Sequence, residues 1–422
     1  MDRLKKSPKR NSAFVDRDGA VTVARIVAWV IAATAGIGVG LSSYAISNET
    51  RAPRRTLALG VLPVGTAKAN LALDSFAARR ARDPRVSVSA RELRWAREAY
   101  QSEPLAASAV ALQALQLTGK ADSERRWALL EAAGKLTRRN SLTNIMLIET
   151  AARRNDQRSF FTWISRTMLT GSSAGQAYAT AMADATARDG AVKALIDVLG
   201  PNPRWSDLYW QLINGRPASF TNAAKLRIAL TKKPWNQTAI KQNDGDLVQG
   251  LAGAGKFDEA WELADALRPR MASKGNVLAD GSFTGAPLLA PFDWQLSTLG
   301  NLGALIDRRQ KQLVISAVGG ASGPAARQLV RLMPGTYRFA WSMASNAPVT
   351  DGALSFQIRC AEANVPSATE VSIPLVAGKR YVDVKVADGA CRWHWASIDV
   401  ALPDDAMGVD AMLSSLSLAA VS

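Results

Sequence analysis

Residues 26–48 read IVAWVIAATAGIGVGLSSYAISN, a run of 23 residues without a charge, closed off by Arg25 and Glu49. At 1.5 Å rise per residue a helix of that length reaches roughly 34 Å, enough to cross a hydrocarbon core of about 30 Å. The residues before it carry Arg3, Lys5, Lys6, Lys9, Arg10, Arg17 and Arg25 against three acidic side chains. Such a basic flank predicts a cytoplasmic tail (1–25), a single membrane span (26–48) and the bulk of the chain on the far side of the membrane. Two other readings stay open: a leader cleaved after Ala45, where Ser43-Tyr44-Ala45 spaces small residues suitably, and a buried soluble helix. The long leader and long apolar run favour a permanent anchor. Within it Ala32, Gly36 and Gly40 form a small-xxx-small face on which two helices, and so a homodimer, would approach closely.

The chain has only two cysteines, Cys360 and Cys391. Their spacing suits neither a CxxC redox motif nor a zinc cage, and in an oxidising compartment they read as one disulfide. The net charge of +16 is uneven, with residues 49–274 carrying 34 basic against 21 acidic side chains and residues 275–422 carrying 11 against 12. Arginine dominates the excess, and Arg79, Arg80, Arg94, Arg97, Arg125, Arg126, Arg138 and Arg139 are the candidate polyanion-binding residues. Beyond a membrane such a surface suits acidic polysaccharide or anionic lipid rather than nucleic acid. The alternative is an ordinary solvated helix surface.

Residues 49–67, with Pro53, Pro63 and scattered glycines, read as a linker. From 68 to 274 apolar residues recur at i, i+3, i+4 and i+7, and the region is expected to be all-α. Gly119, Asn155 and Gly190 break successive helices at intervals of 36 and 35 residues, and Trp127 and Trp163 each fall eight positions after their turn residue. A period near 35 is that of helix-turn-helix solenoids, whose hairpins bury their apolar faces on one another. The stretch Leu251-Ala252-Gly253-Ala254-Gly255-Lys256-Phe257-Asp258-Glu259-Ala260-Trp261 resembles the inter-helix turn and second-helix start of a tetratricopeptide repeat. The other units match that family weakly. Gly250, Gly255 and Lys256 also satisfy most of a phosphate-binding loop, but Phe257 stands where Mg²⁺ needs Ser or Thr and no apolar strand precedes Gly250.

At Asn276 the pattern changes to short alternating runs: 313–318, 328–332, 336–341, 354–360, 371–375, 381–386, 391–402 and 413–420, with a further strand near Val277. Turn dipeptides such as Pro334-Gly335 and Asp388-Gly389 separate them. Residues 275–422 are therefore expected to form an all-β jelly-roll sandwich. The opening Asn276-Val277-Leu278-Ala279-Asp280-Gly281-Ser282-Phe283, the segment Pro291-Phe292-Asp293-Trp294 and the turn Leu332-Met333-Pro334-Gly335-Thr336-Tyr337-Arg338 resemble galactose-binding-like jelly rolls used as bacterial carbohydrate-binding modules. The multidomain order of anchor, repeats and sandwich is similar to that of bacterial envelope proteins of exopolysaccharide systems, a resemblance that implies an inner-membrane anchor, a periplasmic bulk and a place in polymer assembly or export.

Strand parity sorts the aromatic residues. Leu354, Phe356, Ile358 and Cys360 share an apolar face, and Tyr337, Phe339 and Trp341 also look inward. Trp393 and Trp395 share the parity of Cys391 and are expected in the core against the disulfide, returning as sugar platforms only if that bond is absent. The outward glycan-binding candidates are Asp293, Gln295, Arg392 and the single histidine, His394. One histidine and two bonded cysteines supply neither a triad nor a Cys-His pair, no metal-ligand spacing occurs, and no cofactor motif survives. Two function classes result, both non-catalytic: a solenoid scaffold for envelope proteins or acidic glycan, and a carbohydrate-binding module on a helical stalk. A cryptic glycan hydrolase is the distant alternative.

Overall fold

The computed structural model describes residues 17–49, 51–60, 64–83, 85–119, 121–137, 140–170, 175–268, 275–346, 352–363, 370–389 and 391–421. Arg138, Arg139 and most of the basic tail lie outside them. Among the described residues an apolar N-terminal helix leads into thirteen further α-helices, followed by two antiparallel sheets forming a sandwich. The fold divides into two compact units, residues 1–156 and 157–422.

In the first unit α1 (Arg17–Asn48) runs through the apolar stretch without a break, and residues 25–48 are long and apolar enough to cross a membrane. Trp29 is 76% exposed, and Ile31, Ile37 and Val39 are more than half exposed. A soluble fold rarely leaves so continuous an apolar surface uncovered. Ala32, Gly36 and Gly40 lie on this exposed helix, and a Cβ added at either glycine meets nothing within 4 Å.

The segment read as a linker holds α2 (Pro53–Ala58) and the start of α3 (Gly65–Arg82). Pro53 starts the helix without wasting a hydrogen-bond donor, and its burial with Thr56 holds α2 against α3. The Gly65 and Thr66 amides donate to the Glu103 carboxylate at 3.0 and 2.9 Å, placing negative charge at the N-terminus of α3. These local contacts form helix where proline and glycine suggested irregular chain.

The next helices are α4 (Ala90–Ser102), α5 (Ala107–Gln116), α6 (Ser123–Leu136) and α7 (Ser141–Arg153). Ser89 and Glu92 close a reciprocal capping box on α4. Buried Glu92 also accepts from Ser75 Oγ at 2.9 Å and from Arg79 at 2.6 and 3.1 Å. Burial acts to raise its pKa, but the hydrogen bonds from Arg79, Ser89 and Ser75 outweigh that and hold it below the usual carboxylate range. The candidate polyanion surface shrinks accordingly. Arg79 is held by Glu92, Arg80 pairs with Glu149 at 3.0 Å, and Arg126 donates to the Leu117 carbonyl at 3.1 Å. Arg94, Arg97 and Arg125 remain exposed.

The second unit opens with α8 (Gln157–Leu169), α9 (Gly175–Ala185), α10 (Ala191–Leu199), α11 (Ser206–Ile213), α12 (Phe220–Thr231), α13 (Gln242–Gly253) and α14 (Phe257–Leu267). α8, α10, α12 and α14 stack in one row, while α9, α11 and α13 stack in another. Packing on the helix two places along is the arrangement of a helix-turn-helix solenoid. Gly190 and Gly255 occupy turn positions at φ 80° and 73°, the left-handed region open to glycine.

One buried ion pair locks this stack. Arg227 on α12 gives Asp244 on α13 bonds of 2.7 and 3.0 Å, and its other donors reach the carbonyls of Gln237 and Ala239. The guanidinium thereby fixes the connection between the helices as well as their packing. Asp244→Asn should destabilise the unit by about 3–5 kcal/mol, the cost of a buried charge without its partner. Urea denaturation of the full chain checks this, and a loss below about 1 kcal/mol would mean the pair is not structurally needed.

The sandwich is built from β1 (Gln295–Leu296), β2 (Thr298–Leu299), β3 (Leu302–Asp307), β4 (Gln312–Ala317), β5 (Ser322–Arg331), β6 (Gly335–Ser345), β7 (Leu354–Cys360), β8 (Val371–Pro374), β9 (Gly378–Val386), β10 (Trp393–Ala401) and β11 (Val409–Ala420). One sheet runs β1-β5-β10-β7-β8 and the other β2-β3-β4-β11-β6-β9. Between them pack Tyr337, Phe339, Trp341, Phe356 and Ile358, with the Phe339 and Phe356 rings stacked 3.8 Å apart. The strand expected near Val277 is a single bridge, Asn276 to Ala419, because Asn276 spends its side chain on the Leu416 and Leu418 backbone.

Cys360 and Cys391 form the expected disulfide, joining the end of β7 to the approach to β10 across 31 positions. Closing a loop of that size is worth about 3–4 kcal/mol on chain-entropy grounds. Cys360→Ala/Cys391→Ala should therefore leave the sandwich folded but lower its melting temperature, as measured by calorimetry. An unchanged melting temperature would show the bond to be energetically idle.

Candidate functional site

The outer surface of the five-stranded sheet carries a row of polar side chains set around one part-exposed indole. On β10, Ala396, Ile398 and Val400 point into the core, so alternation turns Trp393, Trp395, Ser397 and Asp399 outward. Register places Gln295, Arg327, Ser397, Gln357 and Ser372 in one row across the strands, and Leu329, Trp395 and Arg359 in the next. Arg327 lies 4.3 Å over the Trp395 ring and donates from Nε to Gln295 Oε1 at 2.8 Å. Arg359 sits 3.8 Å from Asp399 and 3.7 Å from Glu370. Gln357 Oε1 and Asp399 Oδ1 are buried and have no hydrogen-bond partner among the described residues. An unsatisfied buried acceptor of this kind costs about 1–3 kcal/mol until a donor arrives.

One end of this surface is covered by the α13–α14 hairpin. Trp393 donates from Nε1 to Asp258 at 3.1 Å, and Arg392 pairs with the same carboxylate at 2.8 Å. Trp261 packs edge-on to Phe292 at 5.3 Å and lies 5.9 Å from Trp393. Beyond this cluster an open cleft of about 690 Å³ is lined by the hairpin turn on one side and by Glu362, Arg392, Trp393 and Trp395 on the other.

The sequence candidates scatter accordingly. Gln295 and Trp395 belong to the polar surface and Arg392 to the cleft. Trp393 and Trp395 are not core residues against the disulfide, although the disulfide forms. Cys391 precedes β10, so strand alternation cannot be carried from it to the tryptophans. Trp393 is buried by the hairpin rather than by the sandwich core. His394 and Asp293, expected outward, are both buried. His394 has the inward parity of Ala396, and Asp293 pairs with Arg268 while accepting the Leu289 amide at 2.8 Å.

Arg327, Gln357, Arg359, Ser397 and Asp399 were missed. The signal was available in part, since Ser355, Gln357 and Arg359 alternate with the core residues Leu354, Phe356 and Ile358. Asp399 lies likewise between Ile398 and Val400. What parity could not supply was the neighbour relation of β5, β10 and β7, which are far apart in the chain.

No family model and no curated protein matches this sequence. Solved structures similar to it include the carbohydrate-binding module TmCBM61 in complex with β-1,4-galactotriose, 13% identical, covering 35% of this chain and 99% of that one at a TM-score of 0.25. A CBM4 structure is 14% identical and covers 34% of this chain and 99% of that one at a TM-score of 0.26.

Burial pushes the His394 imidazole below its ordinary pKa, with the Arg392 backbone and the Glu362 charge pulling more weakly the other way. The folded state thus binds this proton less readily than the unfolded chain. The contribution is complete above about pH 6.5 and is lost as pH falls through the depressed folded value. Denaturation midpoints from pH 7.5 to pH 5 should fall less steeply for His394→Gln than for the natural protein. Equal slopes would remove His394 as the source.

Proposed function

We propose that the outer surface of the five-stranded sheet binds a glycan, in a non-catalytic envelope protein anchored by α1 in the inner membrane and serving exopolysaccharide assembly or export. The observation that carries this reading is the pairing of a half-buried indole, Trp395, with buried acceptors that have no partner, Gln357 Oε1 and Asp399 Oδ1, on one exposed sheet face. Sugar rings offer flat C–H surfaces for an indole and hydroxyl donors for such acceptors. A pre-formed set of this kind suits a neutral, hydroxyl-rich ligand better than an apolar one. Arg327 and Arg359 add donors on either side.

Binding is preferred to catalysis because the carboxylates at this surface, Asp399 and Glu370, each lie within 4 Å of Arg359. Tied to one guanidinium, the two carboxylates are placed as hydrogen-bond acceptors for a ligand rather than as a facing acid/base pair. The N-terminal basic flank and the exposed apolar helix support the single-pass topology with a cytoplasmic N-terminus.

Titration calorimetry of the full-length protein in detergent against a panel of neutral and acidic oligosaccharides tests the reading. At least one glycan should bind, Trp395→Ala should weaken it by about tenfold or more, and Gln357→Ala by a few-fold. Failure of every glycan to bind, or binding indifferent to Trp395→Ala, would sink the assignment.

A further inference from the structure

A second polar cleft, of about 820 Å³, opens in the first unit between the α2 region and α3, walled by Arg51, Arg54, Arg55, Arg79 and Arg82 with Asp74 among them. α2 creates it. With Pro53 and Thr56 buried on one side of this short helix, Arg54 and Arg55 are driven to the exposed side. On α3, Asp74, Ala78 and Arg82 follow one another at i+4 along one ridge, with Ser75 and Arg79 on the neighbouring one, and all five line the cleft. Arg79 is tied to Glu92, but Arg51, Arg54, Arg55 and Arg82 make no ion pair among the described residues. Asp74 is near enough to Arg54 to feel its charge, and a single carboxylate leaves the cleft strongly positive.

Its place in the chain decides what it meets. α1 ends at Asn48, and the Ala52 amide donates back to the Asn48 carbonyl at 2.8 Å, so the turn into α2 is tight. Arg51 follows the helix end by three residues, a reach of about 10 Å. If α1 spans the bilayer, these guanidinium groups stand at headgroup depth. We propose that this cleft binds the phosphate of an anionic phospholipid headgroup in the leaflet where α1 ends, an inference that rests on reading α1 as a membrane span. The planar guanidinium fork engages phosphate oxygens in pairs, and several forks around one cleft select an anionic headgroup over a zwitterionic one.

The test is native mass spectrometry of the full-length protein released from nanodiscs of equal phosphatidylglycerol and phosphatidylcholine, with retained lipids counted. The natural protein should keep phosphatidylglycerol in about fivefold preference. The R51Q/R54Q/R55Q/R82Q variant should fall to near parity, while R91Q/R94Q/R97Q, which removes charge from α4 instead, should keep the preference. The single variants R51Q and R82Q, one from each wall, should each reduce it, so the result survives if the fourfold variant misfolds. Equal retention of both lipids by the natural protein, or equal loss in the α4 variant, overturns the proposal. Loss of the preference in millimolar inorganic phosphate would reassign the cleft to soluble phosphate and overturn the lipid assignment. Carbonate washing of native membranes separates the two levels of inference. Release of the protein would overturn the span itself, whereas resistance without lipid preference overturns only the headgroup site.

Discussion

Trp393 presents its ring on the outward face of a sheet, where a large indole left uncovered would be an aggregation hazard. The α13–α14 hairpin answers this with Phe257, Trp261 and Asp258, the last taking the indole N–H that apolar cover alone would leave unsatisfied. Phe292 closes the cluster from the segment leading into β1. The second compact unit depends on this junction. It ties the last helices of the solenoid to the sandwich, so that the change from helix to strand near residue 276 does not mark the edge of the compact unit.

The same junction shapes the site. By covering Trp393 and leaving Trp395 half-buried, the hairpin divides one strand's outward face into a structural half and an accessible half. The two halves are treated differently in their polar groups. Around Trp393, donors and acceptors are matched, with Asp258 and Glu362 each receiving two bonds. Around Trp395, buried acceptors on Gln357 and Asp399 stand without donors. Folded interiors pair nearly all such groups, so these two acceptors beside a part-exposed aromatic ring are among the few exceptions in the described residues.

Charge is partitioned in the same way. Several arginines of residues 49–274 are held in internal pairs, Arg79 on Glu92, Arg80 on Glu149, Arg154 on Glu124, Arg216 on Asp184 and Arg227 on Asp244, which leaves the excess to the unpaired ones. One group of arginines without an ion pair among the described residues, Arg51, Arg54, Arg55 and Arg82, gathers beside the end of α1, another on α4 at Arg94 and Arg97. A six-residue helix, held by Pro53 and Thr56, converts three arginines close in sequence into one wall of a cleft.

Periodicity along the chain was enough to determine the apolar span, the helical region with turns at Asn155, Gly190 and Gly255, and the sandwich that follows. Each of these is a local property, set by which side of a helix or strand is apolar. The disulfide was legible too, because only two cysteines exist. Tertiary structure alone decided which outward faces stay open. His394 and Asp293 read as surface residues from local parity yet are buried. Trp393 and Trp395 read as core, yet they face outward, since alternation fails between Cys391 and the first residue of β10. The polar row from Gln295 through Arg327, Ser397 and Gln357 to Ser372 needs strands distant in sequence to become neighbours. Side-chain parity is written in the chain two residues at a time, but strand order and the cover supplied by another element are settled only when the whole unit packs.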